Sequence, residues 1–321
     1  MKINITKTTM ISTMIMSTMA SLSSNNFIFS WMMMEINMIS FLPIMTKSNK
    51  MKDQTMKYFI IQSMASSMML MSMLMNSCIE TPINTSIMMM TSMLMKLGLI
   101  PFHIWMPMIM NSMTWENCMM MTTIQKIIPI MLSSQMLSTK MTSLPMIMSL
   151  MIAPMSAMKQ LSMKKIMAFS SITNTPWMIM SMTNSKNQFM MFFMIYSTIT
   201  IMIMKKFKKM NMMYVNQINM TKIKEKVSIL ILWMSMSGMP PTTGFIPKWF
   251  ILQSTMSWTM TLSTTMIMSS MLTTFMYIKM ISPMIMISSQ TKKKIKKNKK
   301  DKDLSIILNM IGLPMMLMMK S

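Results

Sequence analysis

Four ionisable side chains, Glu35, Lys96, Lys126 and Lys248, fall inside long apolar stretches of this chain. At the centre of a membrane helix each would cost about 2.5–3.5 kcal/mol on insertion scales, and such residues by default mark ion or proton paths. A nearby carboxylate holds a buried lysine as the ammonium, whereas desolvation favours the neutral amine. A Glu/Lys set is therefore chemistry for taking up, holding and releasing protons. Lysine suits it because its charge responds to its surroundings, while arginine stays protonated. Glu35 beside Lys96 would hold Lys96 charged. Breaking that pair would let Lys96 release its proton toward Lys126. Lys126 and then Lys248 would pass it on through waters held by Ser, Thr and freed backbone groups. The bland alternative is snorkelling from a helix end. It fits Lys248 better than Lys96, which has thirteen residues of its stretch before it and fourteen after. The single histidine, His103, is a further relay candidate, although a structural hydrogen bond also explains it. Glu116 stands near the start of its stretch and reads as interfacial.

The elements that must position these residues are membrane helices. The chain has 321 residues, 52% hydrophobic and only 12% charged, with a mean hydropathy of +0.44. A soluble domain usually carries about 25% charged residues, and a disordered chain is poor in apolar ones. Eleven apolar blocks lie at 8–23, 27–45, 58–78, 83–110, 114–134, 142–158, 163–182, 188–204, 227–253, 254–278 and 304–319. The expectation is an all-α, polytopic bundle of about eleven transmembrane helices forming one transmembrane domain over 1–321. The first block follows Lys2 and Lys7 as a signal peptide would, but it is rich in Ser and Thr, lacks an evident cleavage site, and reads as a first span.

Two of the blocks are broken by proline. The fourth reads Lys96-Leu-Gly-Leu-Ile-Pro-Phe-His-Ile-Trp-Met-Pro107, and the ninth reads Ser237-Gly-Met-Pro-Pro-Thr-Thr-Gly-Phe-Ile-Pro-Lys-Trp249. Proline removes a backbone donor and clashes with the preceding turn. Exposed backbone at membrane depth is tolerated only against protein or a wet cavity. The breaks are five spans apart, an odd number, so helices 1–5 (8–134) and 6–10 (142–278) would form two inverted repeats, each with its fourth helix broken, followed by a C-terminal helix at 304–319. Paired discontinuous helices in corresponding places point to the ion or substrate path of a transporter, and each break here carries a lysine.

The positive charge supports the span count. With the N-terminus on one face, the eleven spans put 25 of the 31 lysines on that face, three on the other and three inside spans. That asymmetry is what the positive-inside rule expects, with the lysine-rich face cytoplasmic, or matrix in a mitochondrion. The basic loops 205–226 and 291–303 fall on it, and they read as solvated loops fixing topology more readily than as nucleic-acid patches.

Residue usage excludes several chemistries. Two cysteines (Cys78, Cys118) and one histidine cannot hold an iron–sulfur cluster or a bis-histidine haem. Four glycines leave no dinucleotide fingerprint or P-loop. Any redox group would therefore sit in another chain. The 69 methionines and the lack of arginine fit an A-rich genome reading AUA as Met and AGA as Ser, as in invertebrate mitochondria. A soft-metal thioether site explains them less well, because methionine fills every segment.

The motifs together resemble the chain 2 family of antiporter-like membrane subunits of mitochondrial respiratory complex I, in an insect-like form. The resemblance rests on Trp31 through Glu35 to Asn37, Lys57 to Gln62, Lys96 through Pro101-Phe-His-Ile-Trp105, Trp115 with Gln125-Lys126-Ile-Ile-Pro129, Lys165 through Ser171-Ile172 with Trp177, and Gly238 through Gly244-Phe-Ile-Pro-Lys-Trp249. It implies a proton-translocating core subunit of the H+-translocating NADH:ubiquinone reductase, multi-pass in the inner mitochondrial membrane with its N-terminus and basic loops on the matrix side. It places Glu35, Lys96, Lys126 and Lys248 in the relay. It also implies no cofactor in this chain, since FMN, iron–sulfur clusters and ubiquinone belong to other subunits. The implied partners are the other membrane subunits, including a neighbouring antiporter-like one, and the lipid bilayer, with no nucleic acid. The alternative is a stand-alone cation/proton antiporter, which would use the same buried charges. The chain departs from the family at Met108, Lys164, Thr242-Thr243, Asn174 and Pro176. The last two stand where His and Gly are usual, which counts against a relay role for that segment.

Overall fold

The computed structural model describes residues 5–46, 49–78, 82–136, 139–220, 223–257 and 259–290. The last apolar block, 304–319, and the basic run 291–303 lie outside them. The described residues are almost wholly helical: α1 (Ile5–Ser23), α2 (Phe27–Met45), α3 (Asn49–Cys78), α4 (Pro82–Leu97), α5 (Trp105–Ser112), α6 (Trp115–Thr122), α7 (Ile124–Met136), α8 (Thr139–Ala157), α9 (Met163–Asn184), α10 (Lys186–Lys209), α11 (Ile223–Ser237), α12 (Phe245–Met256) and α13 (Met260–Gln290). Three segments, Phe27–Met45, Lys52–Asn76 and Lys186–Lys209, are individually long and apolar enough to cross a bilayer.

These helices are rich in Ser and Thr, which is tolerable because the hydroxyls bond back to carbonyls of their own preceding turn. Ser17 donates to the Met14 oxygen at 2.9 Å and Ser170 to that of Met167 at 2.8 Å. A polar group so satisfied does not need water.

The core centres on α9, buried from Met163 to Met182 except at Lys165, although it carries Ser170, Ser171, Thr173, Asn174 and Thr175. It packs against α5, α7, α8, α10 and α12. Pro176 cannot donate to the Ile172 carbonyl, and the Thr175 hydroxyl takes that acceptor at 2.7 Å.

Contacts gather at the two ends of the bundle. At the end where α9 begins, Glu116 binds both Lys7 (2.6 Å) and Lys208 (2.5 Å). There too the Met163 amide donates to the Met213 carbonyl and the Val215 amide to that of Leu161. At the other end of α9, the Asn184 amide donates to the Ser254 hydroxyl at 2.6 Å.

The fourth and ninth blocks each divide at their glycines and prolines, as α4–α5 and α11–α12. The fifth block divides as well, which its sequence does not announce. α6 gives way to α7 at Thr123 (φ −114°, ψ −82°). Here the Thr122 and Thr123 hydroxyls bond the Cys118 and Met119 carbonyls at 3.0 and 2.7 Å, competing with the helical ladder. The boundary between the ninth and tenth blocks also moves, since residues 254–256 complete α12.

Candidate functional site

The two broken spans end their first halves in the same way. Gly98 has φ +67° and Gly238 φ +77°, a conformation that glycine adopts without steric cost. Around Gly98, the Leu99 amide donates to the Leu94 carbonyl and the Gly98 amide to that of Met95. Around Gly238, the Met239 amide donates to Met234 and the Gly238 amide to Ser235. Both are Schellman turns, which satisfy two of the four orphan carbonyls at a helix C-terminus. The chain then runs irregularly to Trp105 in one case and Phe245 in the other.

Lys96 lies in the last turn of α4 and donates to Glu35 Oε1, on α2, at 3.3 Å. The lysine side chain is 2% exposed and the carboxylate 20%. The sequence-level pairing of Glu35 with Lys96 is thus present as an ion pair. Lys126, in the first turn of α7, is buried and donates to the Ser171 carbonyl of α9 at 2.9 Å. Lys248 is buried in the first turn of α12 and reaches back across the break. It donates to the Ser237 carbonyl at 2.8 Å and the Met236 carbonyl at 3.3 Å. Those are the two acceptors that the Schellman turn leaves open. Its ammonium also lies 5.3 Å from the centre of the Trp177 ring, a cation–π arrangement.

Two small cavities adjoin the three lysines. One, of about 30 Å³, is lined by both Lys96 and Lys126, with Tyr58, Gln62, Asn37 and Gln125 among its polar walls. The other, of about 20 Å³, is lined by Lys248, Asn174, Tyr196 and Ser235. A water needs about 10–15 Å³ of such space, so the cavities fit about two waters and one. Between them stands α9. Ser171, Asn174 and Trp177 follow at three-residue spacing, so they share a face and span about 9 Å along the helix. Ser171 takes Lys126, Asn174 lines the second cavity and Trp177 lies under Lys248.

His103 sits in the first break, half-buried, with its Nδ1 3.4 Å from the Pro101 carbonyl oxygen and its ring 6.3 Å from that of Phe169. It lines neither cavity. Asn174, discounted in the sequence for lacking a titratable group, is a wall of the Lys248 cavity. Tyr58 and Ser171 fall in stretches that carry the resemblance but are not themselves site candidates in the sequence, and Tyr196 carries no sequence signal. Nor does Lys164, which the sequence counts with the lysines of the basic face. It is buried, donates to the Met113 carbonyl at 2.5 Å and lies 5.5 Å from the Trp115 ring centre.

Two glycine-turned helix breaks, each with a buried lysine on a water-sized cavity, define an antiporter-like helical membrane protein. Residues 24–276 match the family described as NADH:quinone oxidoreductase/Mrp antiporter, transmembrane, and the chain belongs to that family. It is 39% identical over 264 residues to NADH-ubiquinone oxidoreductase chain 2 of Locusta migratoria, covering 78% of this chain and 77% of that one. It is 31% identical over 317 residues to the Anopheles gambiae chain of the same name, covering 94% and 93%. The fold matches a chain of respiratory complex I from Thermus thermophilus with a TM-score of 0.83 at 14% identity, over 98% of this chain and 80% of that one. It also matches a chain of the Mrp complex of a Dietzia species, with a TM-score of 0.70 at 11% identity over 84% and 59%.

Proposed function

We propose that this chain is a core membrane subunit of mitochondrial NADH–ubiquinone oxidoreductase and moves protons across the inner mitochondrial membrane along Glu35, Lys96, Lys126 and Lys248. The observation that carries the reading is the sharing of one water-sized cavity by Lys96 and Lys126, with Glu35 paired to the first of them. Protons need a short hydrogen-bonded path, not a substrate-sized pocket. From the second lysine the path continues along the polar face of α9 to Lys248. His103 lies off this path, and the relay runs without it. The redox chemistry belongs to flavin, iron–sulfur and quinone groups in other subunits. The partners are those subunits, among them a neighbouring antiporter-like one, and the surrounding lipid.

The described helices supply ten spans, with α4–α5, α6–α7 and α11–α12 each counted as one; the apolar block 304–319, the eleventh in the sequence, lies outside the described residues. Helices 1–5 and 6–10 form the inverted repeats. The end-to-end contacts support this parity. Lys7, Glu116 and Lys208 meet at the end that an eleven-span count assigns to the matrix, and Asn184 meets Ser254 at the end it assigns to the opposite face.

The Mrp likeness favours a second reading, a stand-alone cation/proton antiporter. It is a likeness of fold alone, whereas the relatives at 31–39% identity are NADH-ubiquinone oxidoreductase chains. The test is Lys96→Met in the assembled complex. The substitution keeps apolar length and removes the titratable group. Glu35 loses its partner but is 20% exposed and can be hydrated. NADH-driven proton uptake in reconstituted vesicles, normalised to assembled complex, should fall at least tenfold while assembly stays within twofold. Parental pumping stoichiometry in this variant would sink the relay.

A further inference from the structure

We propose that Tyr196 is a positioning residue of the relay, which holds, together with Asn174, the single water that takes a proton from Lys248. The inference rests on the relay reading above and adds to it a residue that neither the buried charges nor the motifs single out.

Tyr196 belongs to α10, is 5% exposed, and its hydroxyl is buried without a protein hydrogen-bond partner. Buried hydroxyls are rarely left so, because an unmade bond costs about 1–3 kcal/mol. The ring lines the cavity of about 20 Å³ at Lys248. That space holds one water, and a buried water requires two to four polar partners. The walls supply them. Lys248 has three N–H donors, of which two are committed to the Met236 and Ser237 carbonyls. The Asn174 amide nitrogen is committed to the Ser170 carbonyl at 2.7 Å, which leaves its Oδ1 as an acceptor. In the proposed arrangement the third lysine proton, the tyrosine hydroxyl and the asparagine oxygen are the three groups left to bind one water.

The arrangement explains how Lys248 can change charge without moving. When one N–H bond breaks and an O–H bond forms on the water, the water carries the proton and the lysine becomes a neutral amine. That amine keeps two N–H groups, the number needed for the two helix-end carbonyls. The exchanged proton is the third one, and its acceptor must stand where Tyr196 and Asn174 hold it. A phenyl ring at position 196 would keep the packing and lose that hold.

The experiment is Tyr196→Phe in the intact complex, with Lys248→Met in parallel. The first readout is an ordered water within hydrogen-bond distance of both Tyr196 Oη and Lys248 Nζ in a high-resolution map of the parental complex. The second is NADH-driven pumping per assembled complex in H2O and D2O. The expected result is a bound water, pumping lowered about fivefold in Tyr196→Phe, and a solvent isotope effect larger than the parental one. A purely structural role would lower assembly and leave the isotope effect alone. A dry cavity in the parental complex overturns the inference. So does a Tyr196→Phe complex with parental rate and isotope effect while Lys248→Met is dead. Normal pumping by Lys248→Met overturns the relay reading itself.

Discussion

The two breaks share a backbone plan and differ in what charges and caps them. In each, a side chain from beyond the break lies over the turn glycine. It is Trp105 at Gly98, where an added Cβ would meet the indole at 3.3 Å, and Lys248 at Gly238, where it would meet Cδ at 2.7 Å. In the first break the Trp105 indole donates to the Met95 carbonyl at 3.1 Å. The cap is neutral, and Lys96 is free to pair with a carboxylate on another helix. In the second break the lysine itself is the cap. Among the described residues its partners are two carbonyls and the Trp177 ring, and it has no carboxylate. The negative end of the α11 dipole faces its charge instead. The first lysine is thus paired in charge to a different helix, α2, whereas the second is tied to the geometry of its own broken helix.

Four outcomes would break or sharpen that contrast. The largest effect is expected from Gly244→Ala, because the new methyl would collide with the Ser235 backbone carbonyl and force the second break open. Assembled complex on a native gel should fall more than tenfold. Gly98→Ala meets only the indole and a positive φ, a cost of about 1–2 kcal/mol, and should assemble with a milder loss.

Next comes the comparison of Lys248→Met with Lys96→Met. Both should abolish pumping. Lys248→Met also leaves two helix-end carbonyls unpaired, at about 1–3 kcal/mol each, so its assembled complex should inactivate faster on heating. Equal thermal half-lives would mean that Lys248 does not cap α11.

Trp105→Phe comes third. It removes one donor from a carbonyl that keeps its turn bond to Gly98, so the loss should be about 1 kcal/mol. The variant should still pump, with a small drop in the thermal midpoint of the complex. Glu116→Gln lies outside both breaks and should do least. Its two ion pairs are 25–53% exposed, and exposed pairs contribute about 0–1 kcal/mol. Pumping and the thermal midpoint should match the parental complex within error, and a large loss would show that the Lys7–Glu116–Lys208 cluster couples to the breaks.

Much of this is legible in the sequence. The second apolar block and α2 coincide at 27–45, because a run of apolar residues bounded by polar ones is a local property. The breaks were legible for the same reason, as glycine and proline act on their own backbone. So was the pairing of Glu35 with Lys96, since two opposite charges in apolar spans have few other partners. The division at Thr123 was not, because threonine bends a helix only where its hydroxyl wins a carbonyl from the ladder. The burial of Lys164 is not legible either, because a lysine at a helix start is ordinarily solvated, and only the packing of α9 against the turn at Met113 buries it.

The sequence alone therefore determined that Glu35, Lys96, Lys126 and Lys248 fall in apolar stretches and that two helices break at Gly98 and Gly238, because composition and backbone chemistry act over a few residues. Only the tertiary structure decided what each charge faces: Ser171 for Lys126, the open end of α11 for Lys248, Asn174 and Tyr196 across a space for one water. Those partners lie from about ten to more than seventy residues away along the chain. They are neutral groups of common types, and they come together only because α9 runs through the centre of the bundle, packed against α7, α10 and α12.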